Sequence, residues 1–181
     1  MDRIINHNRK SIRIKEYDYS QPNWYYITIC THDKECMFGV IQNGEVILNE
    51  YRKIAEAEWI RTKEIRKNIE LDYFVIMPNH IHGIIIIEPP DVGTHCNVSL
   101  RQEESFGKST KNSIPTIVKL YKATVTKQIN ILRQTPAVPV WQRNYYEHII
   151  RNDNDLYKIR QYLHNNPIKW EDDDYYKYNW S

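Results

Sequence analysis

The sequence predicts an α+β fold: a ferredoxin-like antiparallel sheet with helices on one side, an extra β-hairpin and a C-terminal helix. Three observations carry it. Apolar runs follow one another in the order strand, hairpin, helix, two strands, helix, strand, helix. Asn43-Gly44 sits between two β-prone runs, which is a strong hairpin signal. One strand ends in an unbroken apolar run that needs cover on both faces.

Residues 1–22 form a basic lead-in ending at Gln21-Pro22. WYYITICT (24–31), rich in aromatic and β-branched residues, reads as a strand. MFGVI (37–41) and EVILN (45–49) are the arms of the hairpin. Asn49 can cap a helix over roughly 50–67, where Tyr51, Ile54, Ala55, Trp59 and Thr62 recur at helical spacing. IELDYFVIM (69–77) and HIHGIIIIE (80–88) are strands joined by a turn at Pro78-Asn79. The polar stretch 89–112 is a long loop. Ile114, Ile117, Val118, Tyr121, Val125, Ile129 and Leu132 form the apolar stripe of a second helix over 113–132. YYEHIIR (145–151) is a short strand, and a last helix starts at Asn152 or Asp153 and stops before Pro167. The chain of 181 residues reads as one domain spanning 1–181, with 168–181 as an acidic and aromatic tail.

Composition narrows the class. No run of about 18 apolar residues suggests a membrane span, and MDRIINHNRK lacks an apolar signal region, so a cytoplasmic protein is expected. The three cysteines, Cys30, Cys36 and Cys96, are odd in number and include no Cys-x-x-Cys pair, which argues against a disulfide framework and a cysteine zinc site. Net charge is only +2, but it is unevenly spread. Residues 101–133 carry seven Lys or Arg against two Glu, the first fifteen carry five against one Asp, and Glu171 to Asp174 are four acids in a row. This asymmetry permits an anionic partner.

His80-Ile81-His82 is the sharpest chemical signal. On a strand, residues two apart share a face, so both imidazoles project together and are able to bind one metal ion. The spacing alone leaves open two unrelated histidines beside a turn. On the last helix, Leu156, Ile159 and Leu163 face the core, Tyr162 lies at the edge of that stripe, and Asn166 follows four residues later on the same face. A tyrosine hydroxyl, with an ordinary pKa near ~10, is a poor nucleophile unless its developing charge is stabilised. Packing is the competing role for any one of the fourteen tyrosines.

PNHIHG (78–83), WQRNYYEHIIRN (141–152) and YLHNNP (162–167), in this order and spacing, resemble the single-tyrosine transposases of the IS200 type. The likeness is closer to the branch associated with repetitive extragenic palindromes (REP). It runs from the strand at 24 to Pro167. It implies a ferredoxin-like domain with a catalytic tyrosine on the C-terminal helix. Tyr162 then matches the nucleophile, and His80 and His82 match paired ligands of a divalent ion, Mg²⁺ or Mn²⁺. Asn166 matches the third, amide ligand, where the IS200 proteins proper use glutamine; Asn165 and Gln161 are also nearby. The implied reaction cleaves and rejoins single-stranded DNA near hairpins through a 5′-phosphotyrosine link.

Lys119, Lys122, Lys127 and the lysines of the 101–112 loop suit a phosphate backbone, and Trp141, Arg143 and the neighbouring tyrosines suit unpaired bases, with solvated lysines and core aromatics as the competing readings. His148 reads as a structural histidine or as a group supporting the site. The implied partner is single-stranded or hairpin DNA, and the protein is expected to be a monomer or homodimer. Two alternatives stay open: a relaxase or rolling-circle endonuclease, which also pairs His-hydrophobic-His with tyrosine, and a domesticated hairpin-binding protein that does not cut. A histidine-triad phosphohydrolase is disfavoured because position 84 is Ile.

Overall fold

The computed structural model describes residues 14, 17–42, 45–89 and 112–173. Most of the basic lead-in, the Asn43-Gly44 turn, the basic residues of the 101–111 stretch and residues 174–181 lie outside the described residues. The elements are β1 (Asn23–Cys30), β2 (Gly39–Gln42), β3 (Glu45–Leu48), α1 (Glu50–Glu64), β4 (Ile69–Met77), β5 (His80–Ile87), α2 (Ile114–Leu132), β6 (Tyr146–Ile150), α3 (Asp153–Asn165) and a 3-10 turn at Trp170–Asp172. Their order is the one the sequence predicts. Four strands form an antiparallel sheet in the order β4-β5-β1-β6, and β2 pairs with β3 in a separate ribbon. This is the ferredoxin-like arrangement with an added hairpin.

The apolar run of β5 explains its central position. Ile81, Ile85 and Ile87 enter the larger core with Ala55 and Trp59 of α1 and Ile117, Val118, Tyr121, Val125 and Ile129 of α2. Ile84, on the other face, packs with Ile150, Leu156 and Leu163, so α3 covers the opposite side of the sheet from α1 and α2. Gly83 allows α1 to come close, because a Cβ there would overlap the Trp59 indole. The helix starts follow their caps. Asn49 Oδ1 accepts from Arg52 N at 2.9 Å, and Asn152 Oδ1 accepts from Asp155 N at 2.9 Å.

A register shift in β4 between Leu71 and Phe74 docks α3. Consecutive strand residues ordinarily point to opposite faces, but an irregularity lets both reach one helix. Arg160 Nε donates to Asp72 Oδ2 at 2.8 Å, and Tyr73 Oη lies 3.2 Å from His164 Nδ1, one helical turn further on. The start of α3 is tied to β6 by a 2.8 Å contact between His148 Nε2 and Asp155 Oδ2. Among the described residues no helix is long and apolar enough to cross a membrane.

Candidate active site

The turn before β5 sets the first ligands. The Asn79 carbonyl accepts from both the amide and the hydroxyl of Thr31, each at 2.9 Å, and the Pro78 carbonyl accepts from Phe38 N at 2.9 Å. The turn is thus held by the chain that leaves β1. His80 and His82 then project from one face of β5, opposite Cys30 and Thr28 of β1, with ring centroids 4.4 Å apart. Both are buried, at 0% and 1% exposure.

Each imidazole has a partner at Nδ1. His80 Nδ1 lies 2.7 Å from Asn79 Oδ1. His82 Nδ1 lies 2.8 Å from the hydroxyls of both Tyr26 and Thr28. Burial pushes both histidines towards the neutral form. His80 falls well below the usual histidine range through desolvation, then through the neighbouring His82 and Lys34. His82 falls to about 3 through desolvation. Neutral imidazole is the form that ligates metals.

α3 brings the tyrosine. Tyr162 Oη stands 3.4 Å from His82 Nε2, at the outer limit of a hydrogen bond, and the residue is 46% exposed. Tyr157 on the same helix is 61% exposed, and its hydroxyl accepts from Gln161 Nε2.

Past α3 the chain folds back through the 3-10 turn. Trp170 lies 6.0 Å from the His80 ring, centroid to centroid, and Asp173 is buried beside the imidazoles. Ligand atoms of His80, His82 and Asp173 all lie within 4.8 Å of one another. Asn166, buried just past the end of α3, donates Nδ2 to Asp173 Oδ2 at 3.0 Å, and its Oδ1 is buried without a hydrogen-bond partner. Two neutral imidazoles, a carboxylate and an orphaned amide oxygen make a donor set that fits a divalent cation.

Sequence reasoning missed Asp173. It lies in the acidic run Glu171–Asp174, which reads as a solvated tail, and only the fold-back after α3 carries it inside. Other expected residues lie elsewhere. α2 is on the far side of the sheet from Tyr162, so Lys119 and Lys127, both exposed, are remote from the imidazoles. Lys122 Nζ donates to the carbonyls of Gln142 and Asn144, each at 2.9 Å, and lies over the Tyr145 ring. Arg143 is exposed in the loop before β6. Trp141 is not a surface stacking residue: it is 7% exposed and packs between Phe38 and Tyr121. His148 holds Asp155 rather than the imidazole pair.

With the sheet order, the paired imidazoles and the helix that carries Tyr162 described, the fold is similar to that of a solved transposase. The solved REP-associated tyrosine transposase bound to a REP hairpin superposes with a TM-score of 0.53 at 16% identity, over 90% of this chain and 74% of that one. No family model matches the chain. In sequence it is 43% identical over 173 residues, 94% of each chain, to an uncharacterized protein of Haemophilus influenzae, and it belongs to the same family as that protein.

Proposed function

We propose that the protein is a metal-dependent, single-strand DNA transposase or nuclease that cleaves and rejoins DNA near hairpins, with Tyr162 as nucleophile. The observation that supports it most is the placement of the Tyr162 hydroxyl 3.4 Å from His82 Nε2, beside the His80, His82 and Asp173 cluster. The hairpin-bound solved structure of the same fold supports the choice of DNA substrate.

His80, His82 and Asp173 would hold the ion, with the Asn166 amide oxygen as a fourth donor. When bound, a divalent ion supplies Lewis-acid stabilisation of charge on a phosphate oxygen and on the attacking oxygen. Tyr162 Oη attacks phosphorus, the bond from phosphorus to the 3′ oxygen breaks, and that oxygen leaves as a 3′-hydroxyl after taking up a proton. The tyrosine gives up its own proton to solvent. The phosphotyrosine link conserves the bond energy, so attack by a DNA 3′-hydroxyl reseals the strand and frees Tyr162. Asn166 keeps Asp173 oriented, and Trp170 shields His80 from water.

The test is a hairpin oligonucleotide with single-stranded flanks incubated with Mg²⁺ or Mn²⁺. A covalent protein–DNA adduct mapped to Tyr162, and lost with chelator, is the expected result. Hairpin binding without any adduct would favour the non-cutting alternative.

A further inference from the structure

The two imidazoles could each carry the ring proton on either nitrogen, and only one tautomer leaves Nε2 able to coordinate a metal. We infer that Asn79 and the hydroxyl pair of Tyr26 and Thr28 are positioning residues: they hold His80 and His82 in the Nδ1–H tautomer, so that both Nε2 lone pairs face Asp173. This deepens the metal-dependent reading and rests on it for its consequence, but the tautomers themselves are a property of the metal-free protein.

The groups that meet Nδ1 differ in kind. Asn79 Oδ1, at 2.7 Å from His80 Nδ1, is an acceptor, so this contact favours the proton on His80 Nδ1. The Asn79 backbone is anchored by the Thr31 amide, which donates to its carbonyl, while the Thr31 hydroxyl shares its proton between the Asn79 and Glu35 carbonyls. At His82 two hydroxyl oxygens stand 2.8 Å from one nitrogen. A hydroxyl both donates and accepts, so each of them is able to receive the Nδ1 proton. Their positions are fixed independently. Thr28 is 2% exposed on β1 directly opposite His82, and the Tyr26 ring stacks on the imidazole with centroids 5.5 Å apart and planes 24° apart. Tyr26 thus restrains both the tilt of the ring and its proton.

The geometry beyond the rings agrees. With both Nδ1 atoms engaged on the β1 and turn side, the Nε2 atoms are left for the cleft, where Tyr162 Oη meets His82 Nε2 and Asp173 stands within 4.8 Å of the imidazole ligand atoms. Removing groups that orient metal-bound histidines ordinarily costs about 10–100-fold in metal affinity.

Imidazole ¹⁵N NMR of the chelator-treated protein at neutral pH reads the tautomers directly. Both His80 and His82 should show a protonated Nδ1 and a bare Nε2. A protonated Nε2 on either ring would overturn the inference. Mn²⁺ titration by calorimetry supplies the second readout. Asn79→Leu and the double variant Tyr26→Phe, Thr28→Val should each weaken Mn²⁺ about 10–100-fold. Asn79→Asp, which keeps an acceptor at the same place, should retain affinity and tautomer. Parent-like affinity in folded Asn79→Leu and in the folded double variant would also overturn it. Variants that fail to fold leave the parent spectrum to decide. Correct tautomers in a parent that binds no Mn²⁺ would sustain this inference while refuting the metal-dependent function.

Discussion

Asn166 and Asp173, seven residues apart across the end of α3, are joined by a 3.0 Å hydrogen bond inside the imidazole cleft. The bond places the carboxylate beside the imidazoles and leaves the amide oxygen of Asn166 facing no donor. If His80, His82 and Asp173 hold the ion, Asp173→Asn removes a charged ligand and should weaken Mn²⁺ binding more than Asn166→Ala does. Calorimetric titration of both variants checks the ranking. The reverse ranking would return the principal third ligand to Asn166.

Tyr162→Phe should abolish the covalent adduct, a loss of at least about 10³-fold, while Mn²⁺ and hairpin binding persist. Tyr157→Phe should leave cleavage within about twofold, because its hydroxyl bonds Gln161 on an outward part of the helix. Gel-resolved adducts and peptide mapping measure both. An adduct at Tyr157 would relocate the nucleophile.

Stability should fall in acid for a reason located at the site. The unfolded histidines take up protons below about pH 6.5, whereas folded His82 resists until about 3 and His80 is likewise depressed. Between those limits unfolded His82 binds more protons than folded His82, so unfolding free energy rises with pH, and His80 contributes in the same direction. Denaturant melts of metal-free protein from pH 7 to 4 should show this slope, and His80→Gln, His82→Gln should flatten it. An unchanged slope in the double variant would assign acid sensitivity elsewhere.

Gly83→Ala should destabilise the fold by roughly 1–3 kcal/mol, because the added methyl overlaps the Trp59 indole where α1 meets β5. Combining it with Trp59→Leu should cost less than the sum of the two single losses, since they share one space. Additive losses in denaturant melts would show that the two sites do not share that contact.

The lysines of α2 should separate. Lys119→Ala and Lys127→Ala, on exposed positions, should each lower the salt slope of hairpin binding by about one unit if α2 meets phosphates. Lys122→Ala should instead lower the melting temperature, because Lys122 ties down the Gln142 and Asn144 carbonyls. Salt slopes that stay at the parent value for Lys119 and Lys127 would move the DNA path to the Tyr162 side of the sheet.

The sequence by itself determined the order of elements, the helix cap at Asn49, the central strand and the shared face of His80 and His82, and narrowed the last cap to Asn152 or Asp153. These are local matters: a two-residue period, an amide oxygen ahead of a helix, an apolar run too long for an edge. It also placed Tyr162 and Asn166 on one helix face. Tertiary structure alone decided what stands opposite them. The shift in β4 that turns both Asp72 and Tyr73 towards α3 leaves no mark in a periodicity, because it is a change of register against β5. For Trp141, the choice between a base-stacking and a core aromatic is made only when the loop before β6 packs against the core. Asp173, in a run of acids, became a buried neighbour of two imidazoles because the chain reverses after α3, where Asn166 Nδ2 donates to its carboxyl group.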